Sequence, residues 1–262
     1  MLKINQYVKA QSLEEAYTLY QKKSSVVLGG MLWLKMQNRT VGTAIDLCGL
    51  GLDTVEETEE AYRIGAMVSL RALETHAGLN DLTGGAMGRC LSPIIGVQFR
   101  NLATIGGSIS GKFGFSDPLT LLLALGAKLE FYKKGVVSLE DWLTMPSERD
   151  ILVRVLLPKS PVKVDYRSMR NTATDFPVLT CAVCVGEETV CALGARPGAA
   201  MLIRDEKGLL SGGITGESAQ AFADFAAETA QFGSNMRGSA EYRRKLARVL
   251  VRRSLLAVKE AE

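Results

Sequence analysis

One histidine, His76, is all the imidazole this 262-residue chain carries. No cysteine or histidine clusters beside it, so neither a Ser-His-Asp-type triad nor a histidine-based metal centre has its parts. His76 is expected as an ordinary residue near a helix end. The five cysteines (48, 90, 181, 184 and 191) are odd in number and lack the spacing of a disulfide framework. Cys181-Ala182-Val183-Cys184 has C-x-x-C spacing, but it sits in the strand-like run Leu179–Val185. Strand residues three apart face opposite sides, so small buried side chains are expected there, and no iron–sulfur cluster on this chain. Long apolar runs are absent, which argues against membrane insertion. Met1–Tyr7 has neither the apolar core nor the cleavage site of a signal peptide, so a cytoplasmic location is expected. Lys+Arg 31 against Asp+Glu 28 leaves +3, too small a bias to imply nucleic acid as a partner. Internal repeats and low-complexity segments are also missing.

What is present is a chain long enough for more than one lobe, 47% hydrophobic and 23% charged, as in ordinary globular proteins. Two glycine pairs stand out. Gly106-Gly107 lies within Arg100-Asn101-Leu102-Ala103-Thr104-Ile105-Gly106-Gly107-Ser108-Ile109-Ser110, flanked by the hydroxyls of Thr104 and Ser108. Gly29-Gly30 follows the strand-like Val26-Val27-Leu28. Glycine reaches positive φ cheaply and has no Cβ to block an approaching ligand, so consecutive N–H groups can converge on an anion. Two such loops suggest a pyrophosphate held from two sides.

Around them the pattern reads as a helix opened by the capping box Ser12-Leu13-Glu14-Glu15 and running to Lys22, a strand at 26–28, a short helix at 31–36 and a strand at 43–47. This first lobe ends near residue 55. A second lobe, about 56–158, opens with the strand 62–66. Helices capped by Ser69 and beginning near Asp81 follow. Ser116-Asp117-Pro118 is a strong helix start, with Ser as cap, before the apolar Leu119–Leu125, and strands at 128–132 and 151–157 close the lobe. Lys159-Ser160-Pro161 reads as a linker. From 162 to 262 a further domain has strands at 162–168, 179–185 and 189–193, then helices near 217–231 and 239–259. In the last helix Tyr242, Leu246, Val249, Leu250 and Leu256 form an apolar stripe. Arg243, Arg244, Arg248, Arg252 and Arg253 are expected on a solvated face or against a partner subunit.

Two imitations fail. Gly106 to Lys112 has the G-x-x-x-x-G-K spacing of a P-loop, but Phe113 stands where a Ser or Thr must bind magnesium. Gly49-Leu50-Gly51 lacks the third glycine and the helix of a dinucleotide fingerprint. Asp117 is either a first-turn acid favoured by the helix dipole or a carboxylate for ribose hydroxyls. Trp33 and Phe113 could pack on a cofactor ring or in the core.

With these residues in view, the chain resembles the FAD-binding subunit of the molybdenum hydroxylases, the family of xanthine dehydrogenase and carbon monoxide dehydrogenase. Arg100–Ser108 matches the family's R-N-x-A-T-I-G-G-N, with Ser108 for Asn. Phe115–Ala127 resembles its acid-bearing start of a Leu/Ala-rich helix, while Ile45-Asp46-Leu47 and Ile64-Gly65-Ala66 resemble two of its strands. One departure is plain: the family's first loop reads A-G-G-T-D-L, and here it is Leu28-Gly29-Gly30-Met31-Leu32-Trp33. A lost neutral hydrogen bond weakens binding by up to roughly tenfold.

The resemblance implies an α+β fold. A two-lobed FAD-binding domain of the vanillyl-alcohol-oxidase (PCMH) type, residues 1–158, precedes a small β-sheet-and-helix C-terminal domain, 162–262. FAD would lie between the lobes, with Leu28–Trp33 and Ala103, Thr104, Ile105, Gly106, Gly107 and Ser108 around it. Ser116 and Asp117 would be at a ribose, and Leu152 and Arg167 near the flavin ring. The implied partners are a molybdenum-cofactor large subunit and a 2Fe-2S small subunit, with NAD or another molecule as acceptor. Two alternatives stay open at this level: a scaffold subunit without FAD, or a stand-alone flavin oxidoreductase.

Overall fold

Among the described residues three β-sheets organise the chain, each packed against helices. The computed structural model describes residues 1–160 and 162–260; Pro161 of the expected linker and the last two residues of the C-terminal segment lie outside the described residues. The first lobe contains β1 (Lys3–Lys9), α1 (Leu13–Tyr20), β2 (Ser25–Leu28), a 3-10 turn at Leu34–Met36 and β3 (Thr40–Asp46). Its strands run parallel in the order β1-β3-β2. β1 is invisible to a burial pattern because nearly all of its side chains are exposed. Ser12 caps α1 by accepting from Glu15 N–H, but the Glu15 carboxylate takes the Gln11 N–H instead of completing a box on Ser12.

The second lobe runs through β4 (Val55–Glu57), β5 (Ala61–Gly65), α2 (Leu70–Glu74), α3 (Ala77–Leu82), α4 (Ala86–Leu91), α5 (Val97–Leu102), α6 (Ile105–Ser110), α7 (Asp117–Ala124), β6 (Lys128–Phe131), β7 (Gly135–Ser138), α8 (Leu139–Thr144) and β8 (Leu152–Pro158). The sheet is antiparallel in the order β4-β5-β8-β6-β7. The helix expected near Asp81 begins at Ala77, because His76 Nδ1 accepts from Leu79 N–H at 3.2 Å and acts as its cap. Every residue of α7 is buried, which fits its run of leucines at the centre of the molecule.

The C-terminal part is an antiparallel meander, β9 (Lys163–Arg170), β10 (Pro177–Val185), β11 (Thr189–Gly194) and β12 (Met201–Arg204), followed by α9 (Gly216–Thr229) and α10 (Ala240–Glu260). One face of this sheet packs on α9 and α10; the other packs on α7 of the second lobe. The C-x-x-C pair divides as strand geometry demands: Cys181 belongs to the cluster under the helices, Cys184 to the cluster that includes α7. Burial pushes the Cys184 thiol up to about 11, so it stays protonated.

The α10 reading needs correction. Arg243 is fully buried, and the buried face runs Arg243, Ala247, Leu250, Val251, Ser254, Leu255 and Val258. Of the expected stripe, Leu250 is buried and Leu246 and Leu256 pack against the same core, while Tyr242 and Val249 are 39% and 42% exposed. Arg243 can be buried because Val178 O, Gly233 O, Gly238 O and Asn235 Oδ1 accept its donors.

Candidate cofactor-binding site

The two glycine pairs come together. β2 ends at Leu28 and delivers Gly29 and Gly30 against the α5–α6 junction, where an ideal Cβ on Gly30 would stand 1.9 Å from Leu102 O. Gly106 is equally confined: its Cβ would lie 2.6 Å from Ala66 O. None of Gly29, Gly30, Gly106 or Gly107 has positive φ; that conformation falls on Met31, at φ 59. These glycines therefore serve close approach, not a left-handed turn.

The expected loop at 104–108 is the start of a helix. Thr104 caps α6, its Oγ1 accepting from Gly107 N–H at 3.1 Å. Ile105 and Gly106 N–H donate to Val68 O and Ala66 O, and Ser108 N–H to Thr104 O. The N–H groups of Ile105, Gly106, Gly107 and Ser108 are thus already engaged. Those of Gly29, Gly30, Met31, Leu32 and Trp33 have no hydrogen-bond partner among the described residues. The first loop therefore has the larger set of main-chain N–H groups without a protein acceptor.

Between them runs a cleft of about 750 Å³, within the rough 300–1,000 Å³ of cofactor pockets. All the residues singled out from the sequence line it except Ile105 and Arg167. Ile105 is buried in the second lobe's core. Arg167 pairs with Asp165, two residues away on the same face of β9. Arg170, on the opposite face, is the β9 cation that reaches the cleft. Ser116 is not a side-chain cap: its Oγ donates to Ser108 O at 3.2 Å and ties α7 to α6.

Asp117 is 4% exposed. Tyr166 Oη donates to its Oδ1 at 2.5 Å, and Arg170 Nη2 donates to the same oxygen. Burial pushes the Asp117 carboxyl up, opposed by the Arg170 charge and by hydrogen bonds from Tyr166 and Arg170. Burial, with the Asp117 charge beside it, also pushes the Tyr166 hydroxyl far up.

An aromatic wall faces this polar end. Trp33 meets Phe99, Phe113, Phe115 and Phe176 with ring centroids 5.5–6.1 Å apart. Phe113 stacks on Phe115 at 5.1 Å, and Phe115 meets Phe176 at 4.5 Å. Arg149 fixes the far wall by donating to Tyr20 O, Lys22 O and Ser25 O, clamping the first lobe to the start of β8. The sequence reading missed Arg149, Phe115, Tyr166, Arg170 and Phe176. Only the alternation of β9, with Tyr166 and Arg170 on one face, could have pointed to two of them.

The residues fit FAD: a confined glycine edge with free N–H donors suits a pyrophosphate, and a buried carboxylate suits ribose hydroxyls. Aromatic faces suit a planar ring system. Met31 and Leu32 add no hydroxyl or carboxylate to the first loop.

Residues 2–160 match the family model described as FAD binding domain in molybdopterin dehydrogenase, and residues 165–258 match CO dehydrogenase flavoprotein C-terminal domain. The chain is 32% identical over 256 residues to the Uncharacterized protein YgfM of Escherichia coli strain K12, covering 95% of this chain and 94% of that protein. It is 25% identical over 276 residues to the Nicotine 6-hydroxylase medium subunit of Paenarthrobacter nicotinovorans, covering 95% of each. Among solved structures, a chain of carbon monoxide dehydrogenase from Hydrogenophaga pseudoflava superposes with a TM-score of 0.87 at 23% identity, covering 97% of both chains. A chain of reconstituted CO dehydrogenase from Oligotropha carboxidovorans gives 0.86 at 23%, covering 99% of this chain and 98% of that one. At that identity the solved structures speak to the fold alone. With both domains accounted for, this chain belongs to the FAD-binding oxidoreductase subunits of the molybdopterin dehydrogenases.

Proposed function

We infer that this chain is the electron-transferring medium subunit of a multi-subunit molybdenum hydroxylase. The observation that carries the reading is the cleft, in which Gly30, the free N–H groups of Gly29–Trp33, Asp117 and the aromatic wall converge from both lobes and the C-terminal meander. FAD held there would supply the redox chemistry that links iron–sulfur clusters to an acceptor, NAD or another. Gly29 and Gly30 would bring main-chain donors to the pyrophosphate, Asp117 would accept from ribose hydroxyls, and Leu152 would stand near the ring. Arg167 lies off the cleft in its pair with Asp165, which leaves Arg170 as the β9 cation near the cofactor. The aromatic wall excludes water from the cofactor's face.

Substrate chemistry and the clusters are assigned to other chains: a large subunit with the molybdenum cofactor and a small 2Fe-2S subunit. Among the described residues no group of His, Cys, Asp and Glu is arranged to hold a metal ion. The test is purification of the tagged chain from its native cells, with metal and flavin analysis. Co-purification of two further subunits carrying molybdenum and 2Fe-2S, with flavin reduced on adding substrate, is expected. Recovery of the chain alone, holding flavin that reacts directly with small substrates, would contradict the subunit reading.

A further inference from the structure

Tyr166 and Arg170 are four residues apart on β9 and therefore share one face of the strand. That face meets the start of α7, where both side chains converge on Asp117 Oδ1. Arg170 reaches in a second direction too, its Nη1 donating to the Asp175 carbonyl beside Phe176 in the β9–β10 hairpin. The Arg170 and Asp117 side chains are only 8% and 6% exposed, and Arg170 Nε is buried without a partner. Asp117, Arg170 and Phe176 all line the cleft, yet Arg170 and Phe176 come from the C-terminal meander.

We propose that Arg170 is a positioning residue for the cofactor, setting Asp117 on the polar wall and the Phe176 hairpin on the aromatic wall with one guanidinium. This rests on the cleft being the FAD site. A buried carboxylate without a partner would be driven to its neutral form or out to water. The guanidinium and the Tyr166 hydroxyl oppose that neutralisation and hold Oδ1 in place. A planar fork can hold two targets at fixed angles; an ammonium cannot. The C-terminal part thereby determines cofactor binding in the N-terminal part through a joint that need not touch the cofactor.

The experiment titrates FAD into the full chain, freed of flavin, for wild type, R170Q, R170K, Y166F, D117N and the double variants D117N/R170Q and D117N/Y166F. Thermal melting runs beside it. R170Q is expected to weaken FAD roughly 10- to 100-fold, the worth of a charge-assisted hydrogen bond, and R170K to recover little. D117N/R170Q should lose clearly less than the product of the two single losses, since both variants act through the Asp117 carboxylate while Arg170 alone also holds the hairpin. The groups facing Asp117 are Tyr166 and Arg170 from β9, with Cys90 of α4 beside Tyr166. Losing the Tyr166 hydroxyl should therefore make FAD affinity fall away at a higher pH on the acid side than in wild type, and D117N/Y166F should lose that dependence. If R170Q does not fold, R170K carries the test, because it keeps the charge and removes only the planar fork. Wild-type affinity in folded R170Q or R170K, or losses that multiply in full in D117N/R170Q, would overturn the proposal. A wild type that takes up no FAD at all would overturn the cleft assignment and the proposal together.

Discussion

Gly30 and Leu102 touch backbone to backbone: a Cβ on the glycine would stand 1.9 Å from the Leu102 carbonyl oxygen and 2.5 Å from its carbon. Two segments some seventy residues apart in sequence are thus brought into one wall with no side chain between them. Because a carbonyl cannot rotate away, one loop must retreat if a methyl is added. G30A should cost about 1–3 kcal/mol and much of the FAD affinity. At Gly29 the nearest atom to a new Cβ is Thr104 Oγ1 at 2.7 Å, the end of a rotatable side chain. G29A should cost about 1 kcal/mol, through the weakened α6 cap. Melting curves and FAD titration of both variants check the order; a G29A as damaging as G30A would contradict it.

Both tryptophans of the chain, Trp33 and Trp142, line the cleft. FAD binding should therefore quench most of the intrinsic tryptophan fluorescence, with W33F retaining a smaller quench from Trp142. A titration in which FAD binds but the emission stays unchanged would place the cofactor elsewhere.

Arg100 lies in the most informative sequence motif, yet it faces away from the cleft, its side chain 5% exposed and held by Glu74 at 2.6 Å and by Ile94 O at 2.9 Å. Burial pushes the Glu74 carboxyl up, but hydrogen bonds from Arg100 and Arg71 outweigh it and hold the group below its ordinary 4.5. The folded state thus favours the ionised form. Its contribution is complete above about pH 4.5 and is lost as pH falls through the lower folded value. E74Q leaves Arg100 buried without its counter-charge and should cost about 3–5 kcal/mol at neutral pH. The variant should also lose part of the wild type's acid sensitivity, measured as denaturant stability from pH 7 to pH 3.

R243M should lose about 3 kcal/mol or more, because three main-chain carbonyls and Asn235 Oδ1 lose their donor in a closed interior. R244A, one residue on and exposed, should stay within about 0.5 kcal/mol of wild type. Denaturant midpoints of the two variants make the comparison.

The contrast between Arg243 and Arg244 shows where sequence reading stops. Periodicity located α10 to within a residue or two, but the buried acceptors for Arg243 come from β10 and from the loop before the helix, far from any local pattern. β2, β8, β10 and β11 were legible because apolar runs ended at glycine, proline or charge. β1, β4 and β12 were not, since short or exposed strands carry little hydrophobic signal. The glycine pairs were legible as a site, although their reason is confined space and not positive φ. Asp117 was legible as one residue; its partners on β9 were not, because a buried ion pair between distant segments leaves no spacing to read.

The central claim is that this cleft holds FAD, and the visible absorption spectrum of the purified chain tests it most directly, recorded before and after denaturation with the released chromophore identified. A flavin spectrum and FAD released near one per chain are predicted. A colourless protein that takes up no added FAD would contradict the account and leave the fold with a scaffold's role.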